Sequence, residues 1–300
     1  MLSLSQYCFF ASIIAVSLAL VSYVFAFASV RIARSHVALA IDTPAATLTA
    51  NASPTDMATL EGAESSNAIT FGILTTWLAL GLLTATLFFR WRATGHGPFA
   101  NMYEFSIAFA WGALLVNAYF LKRYRQWAVG VVVLPIALAL LLYATTVPSE
   151  IEPLVPALQN NLLLTVHVAT AVIAYGAFAV GFAAGFLYVI QTNGPKWGLP
   201  DRTILDDVSY RSMLVGYPFL TLTIVLGAIW ADIAWGKYWS WDPKEDAALM
   251  TWILCTAYLH ARGARGWRGK RAAVLLMIVF ISTLFTYFGN LFFGGLHSYG

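Results

Sequence analysis

Long, nearly unbroken runs of apolar residues alternate with short polar connections along this chain. The hydrocarbon core of a bilayer takes about 20 apolar residues per helix. Eight stretches supply them, roughly 7–30, 69–89, 102–121, 127–147, 161–190, 213–234, 247–261 and 272–293. None of them alternates with a period of two, which argues against a lipid-facing β-barrel. The fifth run is long enough to project beyond one face. The seventh is short, but Asp242-Pro243-Lys244-Glu245 upstream of it reads as a helix start: Asp as N-cap, Pro at the first position, Glu at the third. That start lengthens the run to a full crossing. The pattern predicts an all-α, polytopic membrane bundle of about eight transmembrane helices. Residues 1–68 would be a first helix and the Ala-, Thr- and Ser-rich stretch Asp42–Asn67, read as a flexible loop. Residues 69–300 would form the main transmembrane domain.

Composition agrees. Apolar residues make up 60% and charged residues 10%, against about 25% charged in soluble domains, so a water-soluble enzyme, a disordered chain and a disulfide-stapled module are excluded. Cys8 and Cys255 lie in separate apolar runs and form no CxxC. Of the 17 lysines and arginines, all but Arg90, Arg92, Lys237 and Lys244 fall on one side of the predicted spans. By the positive-inside rule that side is cytoplasmic and both termini face outward, with Arg90 and Arg92 the exceptions. Arg31 and Arg34 follow the first run and no base precedes it, so it reads as a retained helix rather than a cleaved signal. Arg202–Arg211 reads as a surface-lying inner helix leading to the sixth span, and Gly181 and Gly185 as a small-residue face for close helix packing.

Four tryptophans, Trp230, Trp235, Trp239 and Trp241, crowd one outer connection, WADIAWGKYWSWDPKED. An interfacial belt scatters its tryptophans over several helices. These sit together, with Gly236 allowing a tight turn, and form a platform suited to a large planar ring. The histidines sort by depth. His167 lies about one and a half turns into the fifth span, after the acidic loop Glu150–Glu152, and His297 sits in the outer tail GGLHSYG, so both share the level of the tryptophans. His260 comes fifteen residues after Glu245, about 22 Å down the helix, and cannot share a centre with them. Two neutral imidazoles at one depth can supply both axial ligands to a haem iron. His36 reads as solvated at the inner surface; His96 in GHGPF lies on the outer side, where it could compete as a ligand, and is left undecided. Asn101 and Glu104 begin the third span, where Glu104 either pairs with Arg90 or Arg92, the favoured reading, or lines the ligand pocket. Lys237 and Lys244 either meet an anionic ligand or neutralise lipid phosphates, and Asp242 reads as a cap before a ligand group.

The segment WGKYWSWD, Trp235–Asp242, resembles the WWD signature of membrane haem-handling proteins. Its continuation DPKEDAALMTWILCTAYLHARG, the ending GLHSYG, HGPFANMYEF around Asn101–Glu104 and LLLTVHVATAVIAYGAF around His167 resemble the CcsA (ResC) family of System II cytochrome c synthases. The resemblance runs from about Gly95 to Gly300. It implies a domain at 69–300 that binds haem b under a WWD loop at 230–246 and presents it on the outer face of a bacterial inner membrane. Thioether attachment to apocytochrome c at CxxCH would follow. It further implies that His167 and His297 ligate the outer haem iron, that Trp235, Trp239, Trp241 and Asp242 belong to the haem site, and that His260 takes part in an inner haem site. There the second ligand comes from a CcsB/ResB-type partner subunit, and thiol-reducing maturation proteins would supply the acceptor's free cysteines. The alternatives are a b-type cytochrome subunit in electron transfer, against which His260 lacks an inner histidine partner in this chain's spans, and a haem handler of another maturation system. A transporter would show paired broken helices and internal repeats, and neither is found in the sequence.

Overall fold

The computed structural model describes residues 1–41, 67–151, 158–159, 161–191 and 199–297. The expected loop over residues 42–66, Glu152, Lys196 and the side chains of Arg31, Arg34 and His36 lie outside what is described. Helices α1 (Leu2–Ile41), α2 (Asn67–Thr94), α3 (Met102–Tyr124), α4 (Gly130–Ala144), α5 (Asn161–Ile190), α6 (Arg202–Trp235), α7 (Pro243–Ala264) and α8 (Lys270–Phe288) follow in order, with a short α9 (Asn290–Phe293), and no strand occurs among the described residues. Among the described residues, seven helical stretches are long and apolar enough to cross a bilayer. The eighth expected crossing, α7, has the length at 22 residues. Its composition falls short because Lys244, Glu245, Asp246, His260 and Arg262 ride on it.

Local chemistry sets the helix ends. Asn101 caps α3 by accepting the Glu104 N–H at 3.0 Å. Asp242 starts α7 through a full capping box: its side chain accepts the Lys244 N–H at 2.9 Å while Glu245 accepts the Asp242 N–H at 3.2 Å. The end of α6 is turned by Gly236 in the left-handed region, φ 73°. The expected surface helix over Arg202–Arg211 is overturned, because those residues are the first turns of α6, continuous over 34 residues. The acids that suggested a surface position are taken up by neighbours. Asp206 receives both Arg262 guanidinium nitrogens at 2.8 and 2.6 Å and the Gly269 N–H at 3.0 Å, and Asp207 receives the Tyr124 hydroxyl at 2.6 Å.

The central element is α5, which packs along α6, α3 and α8. Ala177, Phe178 and Ala183 on it are fully buried. Gly181 faces Leu276 and Ser212, and Gly185 faces Ala273, so the small-residue face does lie against neighbouring helices. Helices α1 and α2 pair with each other, and α1 leans on α4. Arg90, out of place by the charge rule, is accounted for by burial. Its Nε donates to Glu104 Oε1 at 2.7 Å with the two side chains only 4% and 2% exposed, and its Nη2 donates to the Ser149 carbonyl at 2.8 Å. Glu104 Oε2 also accepts the Ala100 N–H at 2.7 Å. One ion pair thus ties α2, the start of α3 and the segment after α4. Arg92 remains exposed.

Candidate functional site

Where α3, α5, α6, α7 and the C-terminal tail meet, the bundle encloses a cavity of about 660 Å³, within the range of roughly 300–1,000 Å³ typical of small-molecule sites. Its walls are mainly apolar and aromatic, with Phe105, Phe109, Val168 and Val172 among them. His167 and His297, 130 positions apart in sequence, both line it.

Each imidazole is oriented by a hydrogen bond that also fixes its tautomer. His167 Nδ1 stands 2.8 Å from the Thr223 carbonyl oxygen on α6. A carbonyl only accepts, so Nδ1 carries the proton and Nε2 carries the lone pair. Gly227, one turn further along α6, makes room: a Cβ there would lie 2.7 Å from His167 Cε1. His297 Nδ1 stands 2.9 Å from Asp242 Oδ1. Burial foremost, then the Lys244 charge, pushes the His297 pKa below its ordinary value despite Asp242. The contact is therefore a neutral imidazole donating to a carboxylate, and Nε2 again carries the lone pair. Asp242 stays ionised. Burial raises its pKa, but donation from the Lys244 N–H, His297 and the Leu296 N–H outweighs this and holds it below the usual carboxylate range. The Leu296 N–H reaches Asp242 Oδ2 at 2.6 Å, and Gly295, at φ +118°, sits where a side chain would strike that same oxygen. Asp242 therefore caps α7, docks the tail and orients His297 at once. A carboxylate behind a histidine is the recurrent outer-shell arrangement of metal-ligating imidazoles.

One indole stands near both rings. Trp230, 2% exposed, lies parallel to His167 at 6.4 Å between ring centres and 5.7 Å from His297. Trp235 meets His297 edge-on at 4.9 Å and Trp230 at 4.7 Å. Trp239 lines the cavity, whereas Trp241 is 71% exposed and lies outside its walls, with a left-handed backbone at φ 58°. His260 is exposed on α7 and not part of the cavity. His96 turns Nδ1 to the neighbouring Gly97 carbonyl at 2.9 Å and does not line the cavity either. Glu104 is held by Arg90 and is likewise absent from the walls.

The family described as "Cytochrome C assembly protein" matches residues 99–297. Over 232 residues the chain is 38% identical to the "Cytochrome c biogenesis protein CcsA" of Chlamydomonas reinhardtii, covering 73% of this chain and 65% of that one. Identity to the protein of the same name from Guillardia theta is 35% over 264 residues, covering 78% and 87%. For Synechococcus elongatus it is 36% over 272 residues, covering 73% and 83%. The chain belongs to the CcsA family of cytochrome c biogenesis proteins.

The family match spans the cavity from Phe99 to His297 and leaves α1 and α2 outside. In this CcsA-family chain, three cavity features escape a sequence reading. Trp230 is legible only as one of a cluster, because nothing local distinguishes the indole that stands near both histidines from the others. Thr223 acts through its backbone, which leaves no side-chain signal. Gly227 has an ordinary helical conformation, and its need for a missing Cβ comes from α5.

Proposed function

We propose that this chain holds haem b in the cavity, with His167 and His297 as axial ligands, and presents it at the outer membrane face for thioether attachment to apocytochrome c at CxxCH. The chain is an integral membrane protein and serves cytochrome c biogenesis. The observation that carries the finer reading is the pair of imidazoles lining one cavity, each with Nδ1–H donated away so that Nε2 offers its lone pair. The surroundings fit an iron porphyrin: volume, aromatic walls, and two nitrogen donors, with no cluster of three metal-ligating side chains among the described residues such as a bare metal ion would call for.

Bound iron protoporphyrin would supply vinyl carbons to which the acceptor's thiols add. The protein's contribution is placement and exclusion. Thr223 and Asp242 fix the tautomer and aim of both imidazoles, Trp230 and Trp239 supply flat walls, and the apolar lining would keep water from the iron. His297 stands on the tail and His167 within α5, so His297 would be the donor better placed to give way to the acceptor's own histidine. His260, exposed on α7, supports a second haem site shared with a CcsB/ResB-type subunit, whose ligand would complete it. Thiol-reducing maturation proteins would keep the acceptor cysteines reactive. The outer face, both termini included, is taken to be the extracytoplasmic side of a bacterial inner membrane.

The test is an absorption spectrum of the purified chain, with and without its partner. His167→Gly and His297→Gly should each lose low-spin haem absorption and holocytochrome formation, with partial return in added imidazole. His260→Gly should keep the outer signal. A His167→Gly protein with wild-type absorption and product would overturn the assignment.

A further inference from the structure

Lys244 is the one lysine or arginine among the described residues lining the cavity. It sits in the first turn of α7, and its Nζ lies 5.3 Å from the centre of the Phe105 ring. None of the described carboxylates forms an ion pair with it. Those nearest in sequence are already engaged. Asp242 accepts from Lys244's own backbone N–H, from His297 and from Leu296. Glu245 accepts from the Ser240 N–H at 2.8 Å, the Ser240 hydroxyl and the Asp242 N–H. Glu150 also lines the cavity, on its exposed margin. A cation left beside aromatic walls is costly unless something anionic answers it. By contrast Lys237 is exposed and lies outside the walls, so it has no comparable demand.

We infer that Lys244 is the carboxylate anchor of the cavity, the ammonium that takes an acidic substituent of the planar ligand and so sets the ligand's rotation about the His167–His297 pair. The inference rests on the haem-binding reading and adds orientation to it. Two axial nitrogens fix the iron and the ring plane but leave rotation within the plane open. One charge on the wall removes that freedom. Protoporphyrin carries its two propionates on one edge and its two vinyls away from them, so holding the acidic edge at Lys244 decides where the vinyl edge lies. Lys244 is in this sense a positioning residue, acting through the ligand's carboxylate and not on the reacting carbons.

The test compares haem with its dimethyl ester, which has the same ring and iron but no acidic groups. Full-length chain freed of haem is titrated with each, followed by low-spin absorption. The wild type should bind the diacid about ten- to a hundredfold more tightly than the diester, the scale of a hydrogen bond to a charged group. Lys244→Met should lose most of that preference while keeping the low-spin signature, Lys244→Arg should retain it, and Lys237→Met should behave as wild type. A Lys244→Met protein that keeps the full preference overturns the inference. So does equal loss of both ligands, which would mark a structural role. If the wild type binds neither with a low-spin spectrum, the haem-binding reading itself falls, an outcome distinct from either.

Discussion

Replacing Gly227 by Ala tests the position of His167 without touching a ligand atom. A Cβ at 227 would lie 2.7 Å from His167 Cε1, 3.2 Å from Nδ1 and 3.6 Å from Nε2. Carbon atoms rest at about 3.5–4.0 Å, so the imidazole must retreat by roughly 1 Å. It cannot swing freely, because Nδ1 is held at 2.8 Å by the Thr223 carbonyl one turn back on the same helix. Breaking that bond costs about 0.5–1.5 kcal/mol, and forcing an extra methyl into a packed site costs about 1–3 kcal/mol. Helix propensity works the other way, favouring Ala over Gly by about 1 kcal/mol. The melting temperature should therefore move little, while haem affinity falls about tenfold or more and the spectrum shifts toward high spin. Gly81→Ala on α2 is the control, since nothing lies within 4 Å of its added Cβ. It gains the same propensity and should leave affinity unchanged. A Gly227→Ala chain with wild-type affinity and spectrum would refute the placement of His167 against α6.

Other outcomes follow from the same geometry. Glu104→Gln should destabilise the chain by about 3–5 kcal/mol by leaving Arg90 buried without its carboxylate, and the double change Arg90→Met, Glu104→Gln should restore much of this in a melting experiment. Acid titration of the haem-loaded chain should lose the low-spin signal with a midpoint below 6.5, because the His297 pKa is lowered from that value and its neutral form persists as pH falls. A midpoint at or above 6.5 would contradict the neutral tautomer. Trp230→Leu should weaken haem binding and alter its spectrum, whereas Trp241→Ala, at a side chain 71% exposed, should leave both unchanged in a haem titration.

The membrane architecture was legible because the crossings other than α7 are written as long apolar runs, and the start of α7 because Asp242, Pro243 and Glu245 carry a local code for it. Arg202–Arg211 misled for a physical reason. Its charges read as solvated, but Asp206 is answered by Arg262 from another helix, a pairing that no local window contains. Arg90 is the converse at the other end of the bundle: pairing of Glu104 with Arg90 or Arg92 is the favoured reading of the sequence, and the pair forms with Arg90. The two histidines could be matched in depth by counting rises. Their orientation could not, since it rests on a backbone carbonyl from α6 and on a capping carboxylate that also faces the tail.

The tail is tied to Asp242 twice, by the ring of His297 at Oδ1 and by the backbone of Leu296 at Oδ2. These attachments are separable. Rotation of the His297 ring away from Oδ1 leaves the main-chain tie in place, so the side chain stays close to its berth. A ring mounted in this way works as a hinged latch, able to turn while the backbone that carries it stays docked.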